Sequence, residues 1–332
     1  MEFAHFALDP VDSAITPFLD VQEFQKQLAL LSSSQPDWGA VEQVRTEVLK
    51  CHPGRRCAFE VSLRSGNVSH ELIGKVYKKE SLNVFEVMTA IRQAGFNDES
   101  EFSIPRPVVY VPALRLLLVE KISGLHAAQI FLEGHPRERK VAAVRSALWL
   151  ARFHALGGIR GRTLRSDAVF NHCSKTCKRL ADCCASLASK GQRLLEALGP
   201  ASAALKDIPV GPSHGDFVPA HVFLTGDQVV TVDWDSFVLS DPSRDVARFI
   251  LGLRRLAERH LGSIRALDPC ATLFQETYLT EGHRYVATNV SFYMAALCLR
   301  QAKRYVRRQR ARWRERAEVL LDEGLRALTQ VR

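Results

Sequence analysis

The sequence predicts an α+β chain in two parts, a small antiparallel sheet with one helix followed by a larger, mainly helical region. Three observations predict it. Alternating and β-branched runs crowd into residues 57–78 and 105–120. After Ser123-Gly124 the pattern turns mainly helical. Within 213–245 one hairpin interrupts the helices, and two aspartates flank it.

The bulk properties are those of a globular chain. Of 332 residues, 46% are hydrophobic and 24% charged, with a net charge of +9. That is ample material for a core, and the basic balance suits anionic metabolites, nucleic acid or an acidic membrane without choosing among them. No apolar run reaches 18 residues, so no transmembrane helix is expected. The start, Met1-Glu2-Phe3-Ala4-His5, lacks a basic region followed by an apolar one. Eight cysteines without a secretory signal read as reduced thiols in a cytoplasmic protein.

Taken in order, Val21 to Leu31 has helical spacing, and Ser32-Ser33-Ser34-Gln35-Pro36 ends it. Val41 to Leu49 fits a second short helix or a first strand. Cys57 to Leu63 alternates apolar and polar, Arg64-Ser65-Gly66-Asn67 turns, and Glu71 to Tyr77 returns, which makes a hairpin. Its turn holds one glycine, not a G-x-G-x-x-G loop. Ser81 is placed as the N-cap of a helix with Val84, Val87, Met88 and Ile91 on one face. Strands follow at Val108–Val111 and Leu114–Val119. The break at Glu120–Gly124 divides the chain into 1–122 and 123–332.

In the second part, Val141 to Leu156 is a strong helix stopped by Gly157-Gly158. Its His154 reads as a packed structural histidine. Cys173 and Cys177, one helical turn apart and followed by Cys183-Cys184, lack the paired knuckles of a zinc site. His221 to Leu224 and Gln228 to Val232 flank the turn Thr225-Gly226-Asp227. The hairpin brings Asp216 and Asp233 to one open end, where two carboxylates repel unless a cation lies between them. Asp245 opens the next helix, where its charge suits the dipole. Ser291 to Ala327 reads as one long helix whose stretch 300–316 is strongly basic. It is either a solvated helix or a patch for an anionic partner.

His214-Gly215-Asp216, Val232-Asp233-Trp234 and Asp241-Pro242-Ser243-Arg244-Asp245 together resemble the aminoglycoside phosphotransferase and choline kinase-like family, which has the bilobal protein kinase-like fold. The family carries HGD-x4-N, a metal aspartate after a strand, and DP-x2-D opening a helix. The resemblance covers residues 50–250. It implies Asp216 as catalytic base, Asp233 as metal ligand, and ATP with Mg2+ as cofactors, ATP lying between the lobes. It further implies Lys75, in Ile73-Gly74-Lys75-Val76-Tyr77, as the phosphate lysine with Glu86 as its helix partner. Glu120 and Ile122 would meet adenine through main-chain atoms, and Asp245 would brace the catalytic loop. The chain departs from the family at His221, which stands where a metal-binding Asn is usual. An imidazole there favours Mn2+ over Mg2+.

The implied function is a small-molecule kinase. The basic C-terminal helices oppose a polycationic aminoglycoside and favour a neutral or anionic hydroxyl compound such as a sugar, although Glu276, Glu281, Asp322 and Glu323 are available for an acidic pocket. The alternative is a catalytically degenerate kinase-like protein that binds nucleotide or a partner. Nucleic acid is not the expected partner, since no reader motif accompanies the arginines. The oligomeric state is unknown from sequence.

Overall fold

A computed structural model describes residues 7–8, 19–34, 38, 41–52, 54–281 and 284–329. The chain divides into two compact units, Met1–Ser123 and Gly124–Arg332.

The first unit is built on a six-stranded sheet. Its strands are β1 (Ala7–Leu8), β2 (Gln43–His52), β3 (Arg56–Ser65), β4 (Val68–Tyr77), β6 (Pro107–Val111) and β7 (Leu116–Glu120), in the order β1-β2-β3-β4-β7-β6. A two-residue strand, β5 (Phe102–Ser103), lies between β4 and β6 in the chain. The region 41–49, left open between helix and strand, is strand: β2 runs antiparallel to β3 from Gln43 opposite Arg64 to His52 opposite Arg56. Period-two alternation sorts the side chains. Phe59, Val61 and Leu63 of β3, with Leu72 and Val76 of β4 and Leu116 and Leu118 of β7, form one buried face. Helix α1 (Val21–Ser34) packs on that face through Phe24 and Leu28, with the Phe24 ring edge-on to Phe59 at 6.2 Å.

One local expectation is corrected. Cys51 and Cys57 are joined as a disulfide, because β2 and β3 place them directly opposite one another. Cys173, Cys177, Cys184, Cys270 and Cys298 are free. Ser81 does occupy the N-cap of α2 (Leu82–Gln93), but its side chain makes no cap bond. The Glu80 carboxylate accepts the Leu82 N–H instead, at 3.2 Å.

The second unit is mainly helical. After β8 (Leu125–His126) come α3 (Ala127–Glu133), α4 (Pro136–His154), α5 (Ser166–Cys183) and α6 (Ala185–Ala203). Two short ribbons then interrupt. β9 (Gly211–Ser213) pairs with β12 (Val238–Ser240), and β10 (Val222–Thr225) pairs with β11 (Gln228–Thr231) and with β8. Helices α7 (Ser243–His260), α8 (Asp268–Thr280), α9 (Ala287–Arg308) and α10 (Trp313–Thr329) complete it.

The single long basic helix expected over 291–327 is two helices. Gln309 and Arg312 both adopt left-handed backbone conformations, which end α9 and start α10 afresh. No helix among the described residues is long and apolar enough to cross a membrane.

Candidate active site

The site is made by the loop after β9 and the end of β11. The turn Thr225-Gly226-Asp227-Gln228 closes β10 on β11 in strict register, Val222 opposite Thr231 and Thr225 opposite Gln228. This returns the chain beside its own start. The loop's Pro219–His221 forms a 3-10 turn in which His221 N–H donates to Val218 O at 2.8 Å. Val232 is then held from both sides: its N–H donates to His221 O at 2.9 Å, and its O accepts from His214 Nε2 at 3.0 Å. Asp216 and Asp233 are thereby fixed on neighbouring segments.

Each aspartate is followed by a buried aromatic anchor. Phe217 and Trp234 are both almost wholly buried, and both rings meet Trp149 of α4, at centroid distances of 5.5 and 6.0 Å. Trp234 Nε1 donates to Thr231 O at 2.9 Å. Asp233 itself is left-handed, with φ at 68°. That conformation costs about 1–2 kcal/mol in a non-glycine residue. Gly215 is also left-handed, and a Cβ there would lie 2.0 Å from Ser236 O, so only glycine fits.

Asp245 organises the loop from below. Its Oδ2 accepts from Ser213 Oγ at 2.9 Å and His214 N at 2.7 Å, and its Oδ1 from Gly215 N at 3.0 Å. His154 Nε2 lies 3.4 Å from Oδ2. A carboxylate only accepts, so that nitrogen carries the proton, and Nδ1 accepts from Tyr278 O–H at 2.7 Å. Burial alone would raise the Asp245 carboxyl, but the His154 hydrogen bond and the charge of Arg244 outweigh it and hold it at about 2. His154 is thus the structural histidine the sequence suggested, fully buried beneath the loop.

His214 is buried and its pKa is pushed down by desolvation. Its Nε2–H points at Val232 O while Nδ1 accepts from Asp216 N at 3.2 Å. The neutral tautomer satisfies both bonds.

Asp216 meets Arg248 of α7, whose Nε donates to Oδ1 at 2.8 Å and whose Nη2 also pairs with it. Desolvation pushes this carboxyl up, but the Arg248 charge and hydrogen bond, with His221 and His214, hold it well below the usual carboxylate range. Arg244, one turn earlier, donates to Gly215 O at 3.3 Å. Neither arginine was singled out in the sequence. The available signal was charge: Ser243 to Leu253 is buried throughout, so every ionised side chain in that stretch needed a partner.

His221 completes the group. Its Nδ1 lies 2.9 Å from Asp216 O, a carbonyl that can only accept, so Nδ1 carries hydrogen. Its Nε2 then faces Asp233 Oδ2 at 3.6 Å. A proton on Nε2 or a metal ion between the two groups would satisfy this pairing. One ligand atom from each of Asp216, His221 and Asp233 lies within 4.8 Å of the others, which fits a divalent ion. The mixed nitrogen and oxygen donors suit Mn2+ better than Mg2+. In contrast, Cys173 and Cys177 are buried free thiols, raised by desolvation.

Lys75, Glu86, Glu120 and Ile122 belong to the first unit. Lys75 sits on β4 opposite Ala58 of β3 and Leu117 of β7, on the sheet face opposite Phe59 and Val61, where Leu117 is also buried. Glu86 is on the exposed side of α2. Glu120 ends β7, its N–H donating to Arg106 O at 3.0 Å, and Ile122 follows in the segment leaving the sheet.

The family model of the phosphotransferase enzyme family matches residues 63–285. The chain belongs to that family. Among curated proteins no sequence is similar enough to count as a relative. Among solved structures, a thermostable mutant of aminoglycoside phosphotransferase APH(4)-Ia in apo form is 13% identical, with a TM-score of 0.59 over 89% of this chain and 97% of that one. Spectinomycin phosphotransferase APH(9)-Ia, in complex with ADP and spectinomycin, is 11% identical, with a TM-score of 0.59 over 91% and 98%. A choline/ethanolamine kinase family protein from Mesorhizobium loti is 15% identical, with a TM-score of 0.56 over 93% and 99%. Identities this low speak for the fold. It is the α+β, protein kinase-like fold expected from the sequence.

Proposed function

We propose that the chain is an ATP-dependent small-molecule kinase that phosphorylates a hydroxyl group of a neutral or anionic metabolite, such as a sugar. The observation that carries this reading is the Asp216, His221 and Asp233 group, with Asp216 oriented by Arg248. Asp216 accepts a hydrogen bond from the acceptor hydroxyl and aims its oxygen at the γ-phosphorus. As the new O–P bond forms and the bond to the ADP oxygen breaks, the hydroxyl proton passes to the Asp216 carboxylate. Its depressed pKa suits orientation and late proton transfer, as a loose transition state requires. Asp233 and His221 would hold a divalent ion, which supplies charge neutralisation on the nucleotide phosphates. Lys75 is assigned to the same phosphates, with Glu86 as its assigned partner, and the main chain of Glu120 and Ile122 to adenine. A cytoplasmic location goes with the ATP requirement.

The reading turns away from polycationic acceptors on specific grounds. Glu323 is buried and pairs with Arg254, Arg265 and Arg326, and Asp322 pairs with Lys190 at 2.9 Å. Two of the four carboxylates available for an aminoglycoside pocket are therefore already neutralised.

The test is ATP-dependent phosphorylation by the full chain against sugars, amino alcohols and aminoglycosides, with Mg2+ and with Mn2+. Transfer to a neutral or anionic alcohol, abolished by Asp216→Ala, is the expected result. Nucleotide binding with no transfer under either metal would favour the degenerate alternative.

A further inference from the structure

Arg300 and Arg304 lie one turn apart on α9, both half-buried. Helices α7 and α9 run side by side in the same direction. Asp241 meets Asn289 at 2.8 Å near the start of this pair, and Arg259 meets Tyr305 at 3.0 Å towards its end. That alignment sets Arg300 and Arg304 against the turns of α7 that follow Arg248, within reach of its charge. Among carboxylates, Asp216 acts on both most strongly, and Asp216 already pairs with Arg248.

Among the described residues nothing else neutralises them. Helix α9 carries Arg300, Lys303, Arg304, Arg307 and Arg308 and no acidic residue. Among the described residues no hydrogen bond or ion pair holds Arg300 or Arg304. The nearby acids on α7 and α10 are engaged elsewhere: Asp245 by the catalytic loop, Glu258 by Arg316 at 3.2 Å, and Glu323 by Arg254 and Arg265. Burial and like charges lower the pKa of both arginines, Arg300 to about 10. Two half-buried guanidiniums side by side are costly unless an anion joins them. Their planar forks match phosphate and carboxylate oxygens.

We propose that Arg300 and Arg304 form an oxyanion subsite for the acceptor, so that the hydroxyl compound phosphorylated at Asp216 also carries a phosphate or carboxylate group. This rests on the kinase reading and narrows its acceptor class. The subsite is assigned to the acceptor because Asp216, which orients the hydroxyl, is the carboxylate whose charge reaches both arginines.

Two measurements on the full chain test it. In the first, inorganic phosphate at constant ionic strength raises the thermal unfolding midpoint of the wild type, and MgADP binding is titrated in parallel. Arg300→Gln/Arg304→Gln should weaken phosphate binding by roughly tenfold or more per guanidinium and leave MgADP affinity unchanged, while the exposed Arg310→Gln changes neither. Phosphate protection that survives the double substitution overturns the subsite. A tenfold loss of MgADP affinity instead reassigns the arginines to the nucleotide and overturns the proposal as stated.

The second measurement compares kcat/KM for matched acceptors, glycerol against glycerol 3-phosphate and glucose against gluconate and glucose 6-phosphate. The anionic members should be preferred, and the double variant should lose that preference. A wild type that prefers the neutral members refutes the inference while leaving the kinase reading intact. No MgADP binding and no transfer to any acceptor refutes the kinase reading, and the phosphate titration then judges the oxyanion site by itself.

Discussion

Replacing Asp245 by Asn should damage this protein far more than the loss of one atom's charge suggests. The carboxylate takes hydrogen bonds from Ser213 Oγ and His214 N on Oδ2 and from Gly215 N on Oδ1, with His154 Nε2 also directed at Oδ2. All four are donors, and an amide offers one oxygen. The least harmful orientation keeps oxygen at the Oδ2 position and sets the amide NH2 against the Gly215 N–H. One buried N–H is then orphaned, at about 1–3 kcal/mol. The remaining bonds lose their charge assistance, at about 1 kcal/mol each. The sum is about 4–6 kcal/mol, a large share of the roughly 5–15 kcal/mol that holds a domain folded.

Urea unfolding measures this directly, and a loss below about 1 kcal/mol would refute the account of the loop. A pH series adds a second check. The Asp245 carboxyl is lowered to about 2 from an ordinary 3.8. Its contribution, about 2–3 kcal/mol, is therefore present above pH 4 and lost as pH falls through the folded value. Wild type should lose that amount relative to Asp245→Asn between pH 5 and 2. Asp216, also depressed, is common to both chains and cancels in the difference. Parallel stability curves would show that Asp245 does not titrate as the geometry requires.

Other substitutions probe the neighbouring parts. Gly215→Ala places Cβ 2.0 Å from Ser236 O in a left-handed conformation, and should cost about 3 kcal/mol or more; a fully stable variant in urea unfolding contradicts the loop geometry. Asp216→Asn should lower kcat by about 10²–10⁴-fold. It also strips Arg248 of its counter-charge, at a further cost in stability of about 3 kcal/mol, and an unchanged unfolding free energy would show that the pair contributes little. His221→Asn exchanges a ring nitrogen for an amide oxygen and should shift the ratio of Mn2+-supported to Mg2+-supported kcat/KM toward Mg2+; an unmoved ratio removes His221 from the metal's ligands.

Much of the fold is local and so was legible. The turns at Gly66 and at Gly226, flanked by β-branched residues, specify their hairpins with no help from distant chain. Residues 41–49 were ambiguous for a physical reason. Val41, Val44 and Val48 recur at three and four, while Val44, Thr46 and Val48 alternate, and the non-local pairing with β3 settles the matter. The break at 309–312 was hidden similarly. Val306, Trp313, Ala317 and Leu320 continue one helical stripe across it, and no Gly or Pro marks the spot. The left-handed turn there folds α10 back along α9, where both helices bury their apolar residues. The Cys51–Cys57 bond likewise depends on cross-strand register, which composition does not carry.

The site divides along the same line. Asp216 and Asp233 were paired from sequence because a four-residue turn controls their separation. Arg248 was not, because its contact with Asp216 spans 32 residues and depends on how α7 is rotated. That rotation is set by Asp245, whose bonds to the loop lock the first turn of α7 beneath Gly215. Arg248 lies three residues further on, almost one turn, and so rises beside Asp216. The next turns of the same buried helix face α9, which brings Arg300 and Arg304 into the electrostatic reach of Asp216. One brace residue therefore sets the loop backbone, the orientation of the Asp216 carboxylate and, under the proposed function, the side from which a charged acceptor would approach. The Asp245→Asn substitution should accordingly weaken phosphate protection along with stability, although Asp245 touches neither arginine of the proposed subsite.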